Sequence, residues 1–185
     1  MRLVVVDVDG CLTPGEAQPW NFEALKHIAQ LNRGAQKDPT KLAVTLCTGR
    51  QEPYVEVLMQ AIDAHLPGIY ENGGGLYFPR DYRFVENPLI TAAMREALAG
   101  IKTTLQREIV EPGLGHFQPG KEVSLTIYPL DQVSVYELYL ATVEALETWQ
   151  LPKRQGPVQT LSQGELTRRL GCAGSHEKRA SLLAR

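Results

Sequence analysis

Four consecutive apolar residues, Leu3-Val4-Val5-Val6, run directly into Asp7-Val8-Asp9-Gly10, and this junction constrains the fold more than any other feature of the chain. A short continuous apolar run that ends in acidic residues reads as a parallel strand buried on both faces, with a charged loop at its carboxyl end. Parallel neighbours need crossover connections, and the sequence supplies them. Asn21 to Asn32 places Phe22, Leu25, Ile28 and Ala29 at helical spacing, and Lys41 to Cys47 is a second buried strand. Val55, Leu58, Met59 and Ile62 then recur at i, i+3, i+4 and i+7, with Pro53 in the first turn, where its missing N–H is tolerated. A short third strand, Gly68-Ile69-Tyr70-Glu71, follows. Alternating units of this kind predict an α/β fold with a doubly wound parallel sheet, whose ligands sit outside the carboxyl ends of the strands. The predicted site lies just after Val6, Leu46 and Tyr70.

Beyond Asn72-Gly73-Gly74-Gly75 a hairpin from Leu76 to Val85 leads to Pro88, and the pattern changes to longer helices. Leu89 to Ile109 carries Met94, Leu98, Ile101 and Leu105 on one face, weakened at Gly100 by about 1 kcal/mol relative to Ala. A Gly/Pro-rich loop, Glu111 to Gly120, closes it. Val123 to Tyr128 alternates apolar and hydroxyl residues, which predicts a strand with one face covered and one exposed. Asp131 is the expected N-cap of a helix reaching Trp149, with Val135, Leu138, Thr142, Leu146 and Trp149 in register. Pro157 to Leu161 and Glu165 to Leu170 read as short strands, and Ser175 to Arg185 as the opening of a helix.

With 185 residues, a formal charge of −2 and 43% hydrophobic content, the chain forms one globular domain or a core with a small insert. A chain this long buries about 70% of the surface it would expose unfolded, so its core needs neither disulfides nor a structural metal. No clustered basic face argues for nucleic acid. Asp7 interrupts the first apolar run before it reaches signal-peptide length, and no later run reaches membrane-spanning length. Cys11, Cys47 and Cys172 are an odd set without a CxxC pair. The expectation is a cytoplasmic chain with reduced thiols, binding neither nucleic acid nor membrane.

Asp7 and Asp9 leave the first strand together, and their charge calls for compensation. A divalent cation with oxygen ligands would supply it, and a carboxylate beside it can attack phosphorus, with the second carboxylate moving the proton of the leaving oxygen. A pair of solvated turn residues explains the same spacing equally well. The second strand ends in Thr48-Gly49-Arg50, a hydroxyl, a flexible residue and a cation, which suits phosphate oxygens or an ordinary capped strand-to-helix turn. The third ends in Asn72-Gly73, which also suits a hairpin turn.

Taken together, Asp7-Val8-Asp9-Gly10-Cys11-Leu12-Thr13, Thr48-Gly49-Arg50 and Glu71-Asn72-Gly73-Gly74 resemble the motifs of the haloacid dehalogenase (HAD) superfamily of phosphohydrolases, in particular its members with an inserted α/β cap that act on phosphoglycolate or sugar phosphates. The resemblance implies a Rossmann-like core with an inserted α+β cap: residues 1–86 as the first part of the core, 87–171 as the cap, and 172–185 as the start of a return to the core. It implies that Asp7 is the nucleophile and a Mg²⁺ ligand, and that Asp9 is the general acid/base and a second Mg²⁺ ligand through its carbonyl. Thr48, Gly49 and Arg50 would bind phosphate, Asn72 and Gly73 would border the substrate entrance, and Lys178 would neutralise phosphate. The resemblance covers Met1 to about Trp149. The family's acidic Gly-Asp-x-x-x-Asp segment has no counterpart before Arg185, which leads to the expectation of a truncated or frameshifted product. In the cap, Lys121 and Ser124 are candidates to reach a substrate's distal part, and His116 is expected at the surface.

The implied activity is Mg²⁺-dependent hydrolysis of a small phosphorylated metabolite by a monomer or homodimer. Its rival is a noncatalytic phosphometabolite-binding or partner-docking remnant. A dinucleotide-binding protein is disfavoured, because the first loop lacks GxGxxG and sets carboxylates against pyrophosphate.

Overall fold

β1 (Arg2–Val6) is followed by α1 (Phe22–Lys37) and then β2 (Leu42–Leu46), which lies parallel to β1 with Val4 opposite Val44 and Val6 opposite Leu46. In this computed structural model the described residues are 2–15, 18–147 and 149, together with the backbone of 159–160 and 180–183. They divide into two units, Met1–Leu89 and Ile90–Arg185. The fold is α/β, as predicted.

In the first unit α2 (Glu52–Ala61) leads to β3 (Gly68–Tyr70), which joins the end of β2 through a parallel bridge between Cys47 and Ile69. β4 (Gly75–Phe78) and β5 (Arg83–Glu86) extend β3 as an antiparallel meander. Val55, Leu58, Met59 and Ile62, the four positions of the helical repeat, are all fully buried and pack with Val8, Leu25, Leu46, Tyr70 and Tyr77. Asn21 caps α1 by accepting from the Ala24 amide, and Pro53 falls in the first turn of α2.

β1 departs from expectation. Leu3, Val4 and Val5 are 44%, 41% and 50% exposed, whereas Ala43, Val44 and Leu46 of β2 are buried. Among the described residues β1 hydrogen-bonds to β2 alone, so among them it stands at the edge of the sheet. The apolar run correctly marked a strand, but the doubly covered position belongs to β2, which has β1 on one side and meets β3 at its end.

The second unit begins with α3 (Ala92–Leu105), capped by Thr91 and continued as a π-helical turn at Gln106–Val110. β6 (Gly115–Phe117) pairs antiparallel with β7 (Leu125–Pro129), and α4 (Val135–Glu147) follows. β8 (Gln159–Thr160) falls inside the strand expected at 157–161. β9 (Ala180–Leu183) pairs with β7 and β8, so a strand stands at 180–183 where a helix was expected from Ser175. The strand expected at Glu165–Leu170 lies outside the described residues.

Two local expectations are corrected here. The N-cap of α4 is Ser134, not Asp131: Ser134 Oγ accepts from the Glu137 amide at 3.2 Å while Glu137 Oε2 accepts from the Ser134 amide at 2.8 Å, a reciprocal capping box. The hydroxyl face of β7 is not exposed, because Ser124 and Thr126 are buried beside Leu125 and Ile127. No described helix is long and apolar enough to cross a membrane.

Candidate functional site

The loop after β1 is wound around one carbonyl. Val8 is fully buried, and its oxygen accepts from the amides of Cys11, Leu12 and Thr13 and from the Thr13 hydroxyl. Gly10, at φ 79°, lets the chain reverse and donate its amide to Thr13 O at 2.8 Å. This winding turns Asp7 and Asp9 out at the end of the strand. Asp7 is exposed, and its Oδ1 accepts from the Val8 amide at 2.7 Å. Asp9 turns instead toward the loop after β2.

That loop is anchored on both sides. Thr48 is only 2% exposed; its amide donates to Ile69 O at 3.1 Å, and its Oγ1 accepts from the Arg50 amide at 3.2 Å. The Arg50 guanidinium grips Asp9 with two bonds, Nε to Oδ2 at 2.8 Å and Nη2 to Oδ1 at 2.7 Å. The two side chains are 12% and 8% exposed. The guanidinium carbon also sits 4.7 Å from the centroid of the Tyr54 ring, which meets Trp20 edge-on.

The loop after β3 closes the group. Glu71, Asn72 and Gly73 all adopt positive φ, at 45°, 57° and 97°. Two successive non-glycine residues in this region cost of order 1–3 kcal/mol each and persist only where the surroundings hold them. Here the Glu71 amide donates to Arg50 O at 2.9 Å and the Asn72 amide to Thr48 O at 3.0 Å, tying this loop to the one after β2. Asn87 secures its far side through Gly73 O at 3.0 Å. The Asn72 amide group lies over Gly49, where an added Cβ would come within 3.1 Å of both its Oδ1 and Nδ2.

The structure thus brings Asp7, Asp9, Thr48, Gly49, Arg50, Asn72 and Gly73 to the carboxyl ends of three successive strands of one unit. Lys178 lies outside the described residues. The guanidinium of Arg50, expected to bind phosphate, is engaged with Asp9 in this structure. Tyr54, Trp20 and Asn87 were not anticipated as supports, although Arg50 and Tyr54 are four apart at the entrance of α2, a spacing that brings side chains together. In the second unit Lys121 Nζ donates to Thr126 Oγ1 at 2.6 Å, Ser124 is buried, and His116 is exposed beside the Tyr128 ring.

The charge of Asp7 reaches Cys47. Burial raises its thiol pKa first, and the Asp7 charge raises it further, so this sulfur stays protonated and is a poor nucleophile. Among the described residues no group of three or more His, Cys, Asp and Glu is placed to hold a metal ion. At the end of β1 Asp7 presents an exposed carboxylate, a hard oxygen donor of the kind that suits Mg²⁺, which retains several waters and takes one or two carboxylates plus substrate phosphate. A cavity of about 180 Å³ near the start of β2, lined by Gln36, Lys41, His65 and Arg80 among others, includes none of the strand-end loop residues.

Neither a family model nor a curated protein matches the sequence. Solved structures do match the fold. The C-terminal domain of trehalose-6-phosphate phosphatase from C. albicans aligns with a TM-score of 0.59 at 20% identity, over 80% of this chain and 50% of its own. A crystal structure from Thermoplasma acidophilum aligns with a TM-score of 0.53 at 21% identity, over 80% of this chain and 57% of its own. A trehalose-6-phosphate phosphatase related protein aligns with a TM-score of 0.50 at 16% identity, over 84% of this chain and 64% of its own. The chain therefore spans between half and two thirds of the length of these structures.

Proposed function

We propose, from the fold this chain shares with trehalose-6-phosphate phosphatase structures and from its likeness to the HAD motifs, that it is a phosphomonoester hydrolase in which Asp7 accepts the phosphoryl group, with small sugar phosphates as its substrate class. The observation that carries the reading is the convergence of three strand-end loops: the Glu71 amide donates to Arg50 O at 2.9 Å and the Asn72 amide to Thr48 O at 3.0 Å, and β1, paired with β2, delivers an exposed Asp7 beside them. Trehalose-6-phosphate phosphatase, a structural neighbour, supports the substrate class.

In this reading an Asp7 carboxylate oxygen attacks phosphorus and an acyl phosphate forms as the ester oxygen leaves. Asp9 gives that oxygen its proton, and later takes a proton from the water that hydrolyses the acyl phosphate. Thr48 Oγ1 accepts from the Arg50 amide, so its own O–H points elsewhere and donates to a phosphoryl oxygen. Gly49 lets the backbone approach the phosphate closely, and the Asn72 side chain above it limits the space. The Asp7 carboxylate and the Asp9 carbonyl would hold Mg²⁺, which when bound supplies charge neutralisation between nucleophile and phosphate.

The test is release of inorganic phosphate from a panel of sugar phosphates by the full chain and by Asp7→Asn, with and without Mg²⁺. The expected outcome is Mg²⁺-dependent release that falls at least ~10³-fold in the variant, with an unchanged far-UV spectrum and melting temperature. Release that survives Asp7→Asn refutes the nucleophile. A second reading, a noncatalytic binder of phosphorylated metabolites, is favoured by the engagement of both Asp9 oxygens with Arg50. It predicts saturable binding that persists in EDTA with no release.

A further inference from the structure

We infer that the Asp9–Arg50 pair is a substrate-operated latch: the monoanionic phosphate of an incoming ester takes the Arg50 guanidinium and gives its proton to the freed Asp9 carboxylate, which then faces the leaving oxygen as the acid. This deepens the phosphatase reading and rests on it.

A proton carrier must present an oxygen to the atom it serves. In this structure Oδ1 and Oδ2 of Asp9 each receive a guanidinium N–H, at 2.7 and 2.8 Å, so the carboxylate faces Arg50. The pair is largely removed from water, and opening it without a replacement anion would leave two poorly solvated charges. A phosphate that gives its proton to Asp9 and meets Arg50 as the dianion is such a replacement, because the planar fork that fits a carboxylate fits phosphate equally well and no bare carboxylate is left behind. It would also arrive in the right place. Arg50 is two residues from Thr48, and its amide is fixed on the Thr48 hydroxyl that faces the phosphoryl group in the proposed function. The backbone need not move for the exchange, since Arg50 O is held by the Glu71 amide. The Tyr54 ring, 4.7 Å from the guanidinium carbon, offers a face along which the side chain can swing while its charge stays compensated. The latch couples phosphate binding to release of the acid/base, which a permanent clamp would not do.

The test follows the Arg50 Nε–Hε resonance of the ¹⁵N-labelled full chain, assigned by its loss in Arg50→Lys, while inorganic phosphate is added. The latch predicts that this resonance shifts saturably, with the same midpoint as the Thr48 and Gly49 amides. It further predicts that Asp9→Asn tightens phosphate binding at least threefold, and that this gain disappears in an Arg50→Gln background, as a double-mutant cycle reads it. Saturation of the Thr48 and Gly49 amides with the Arg50 resonance unmoved overturns the latch and leaves the phosphate site standing. A gain from Asp9→Asn that persists without Arg50 also overturns it, since simple charge removal then accounts for the effect. If neither amide responds to phosphate, the functional reading itself fails and the latch falls with it. Where a variant does not fold, through-bond correlation from the Arg50 backbone amide assigns the Nε–Hε resonance in the wild type, and a moved or unmoved Arg50 in that titration decides for or against the latch.

Discussion

Replacing Asn32 tests how the first unit holds β2, and through β2 the Thr48 loop. Asn32 is fully buried on α1, donates from Nδ2 to Ile62 O at 2.8 Å, and accepts at Oδ1 from the Val44 amide at 2.7 Å. One side chain thus joins α1, the end of α2 and the middle of β2. Asn32→Ala removes two hydrogen bonds, each worth about 1 kcal/mol net, and leaves a buried donor and acceptor whose desolvation adds roughly 1–3 kcal/mol between them. Together these terms give an expected loss of about 3–5 kcal/mol, to which the vacated volume adds. Against a typical total of 5–15 kcal/mol, that places the unit near its threshold. Asn32→Leu keeps most of the volume but neither bond, so it separates the polar part from the cavity part. Urea unfolding in a Trp149→Phe background reports the first unit through Trp20, which packs against its core. A loss below about 1 kcal/mol for Asn32→Ala, with unchanged slope, refutes the argument that this side chain fixes β2.

Further outcomes follow from single contacts. Two bonds from Ser134, the backbone one first, lower the Glu137 pKa below its ordinary 4.5. The folded value lies below the unfolded one, so this contribution is present above the unfolded pKa and is lost as pH falls through the folded pKa. The melting-temperature gap between wild type and Glu137→Gln therefore narrows as pH drops from about 6 to about 3. Of the two described cysteines, Cys11 is exposed whereas Cys47 is partly buried with its thiol raised, so Cys11→Ser removes a fast phase of Ellman labelling and Cys47→Ser does not.

What could be read from sequence depended on how local the signal was. The repeat of Val55, Leu58, Met59 and Ile62 needs only the helical period, and all four are buried as that period requires. The three loops that carry Asp7, Asp9, Thr48 and Asn72 could be placed because strand ends are marked by where an apolar run stops. Nothing local announces that Arg50 turns to Asp9, since that pairing depends on which strands become neighbours. The backbone of Glu71 and Asn72 was equally hidden. Asn-Gly-Gly reads as a turn, but a buried Glu71 at positive φ persists only because Arg50 O and Thr48 O accept the two amides. Ser134-x-x-Glu137, by contrast, was present in plain view as a capping box, and the acidic Asp131 nearby drew attention from it.

The exposure of β1 is the sharpest difference between pattern and structure, and a paired substitution turns it into a measurement. Val6 lies opposite Leu46 and Val5 opposite Thr45, so the two strands share one register while their burial differs. Leu46 is fully buried, and Leu46→Ala should cost about 2–5 kcal/mol. Val5 already leaves half its surface to water, so Val5→Ala should cost below about 1 kcal/mol. An apolar edge strand is otherwise a pairing hazard, which proteins usually blunt with charge or cover. If Val5→Ala costs as much as Leu46→Ala, β1 has in solution a cover that the described residues do not provide, and its apolar run is doing what a doubly covered parallel strand does. If the cost stays small, the run is explained by strand propensity and by the need to deliver Asp7 at the strand end, with no second cover required.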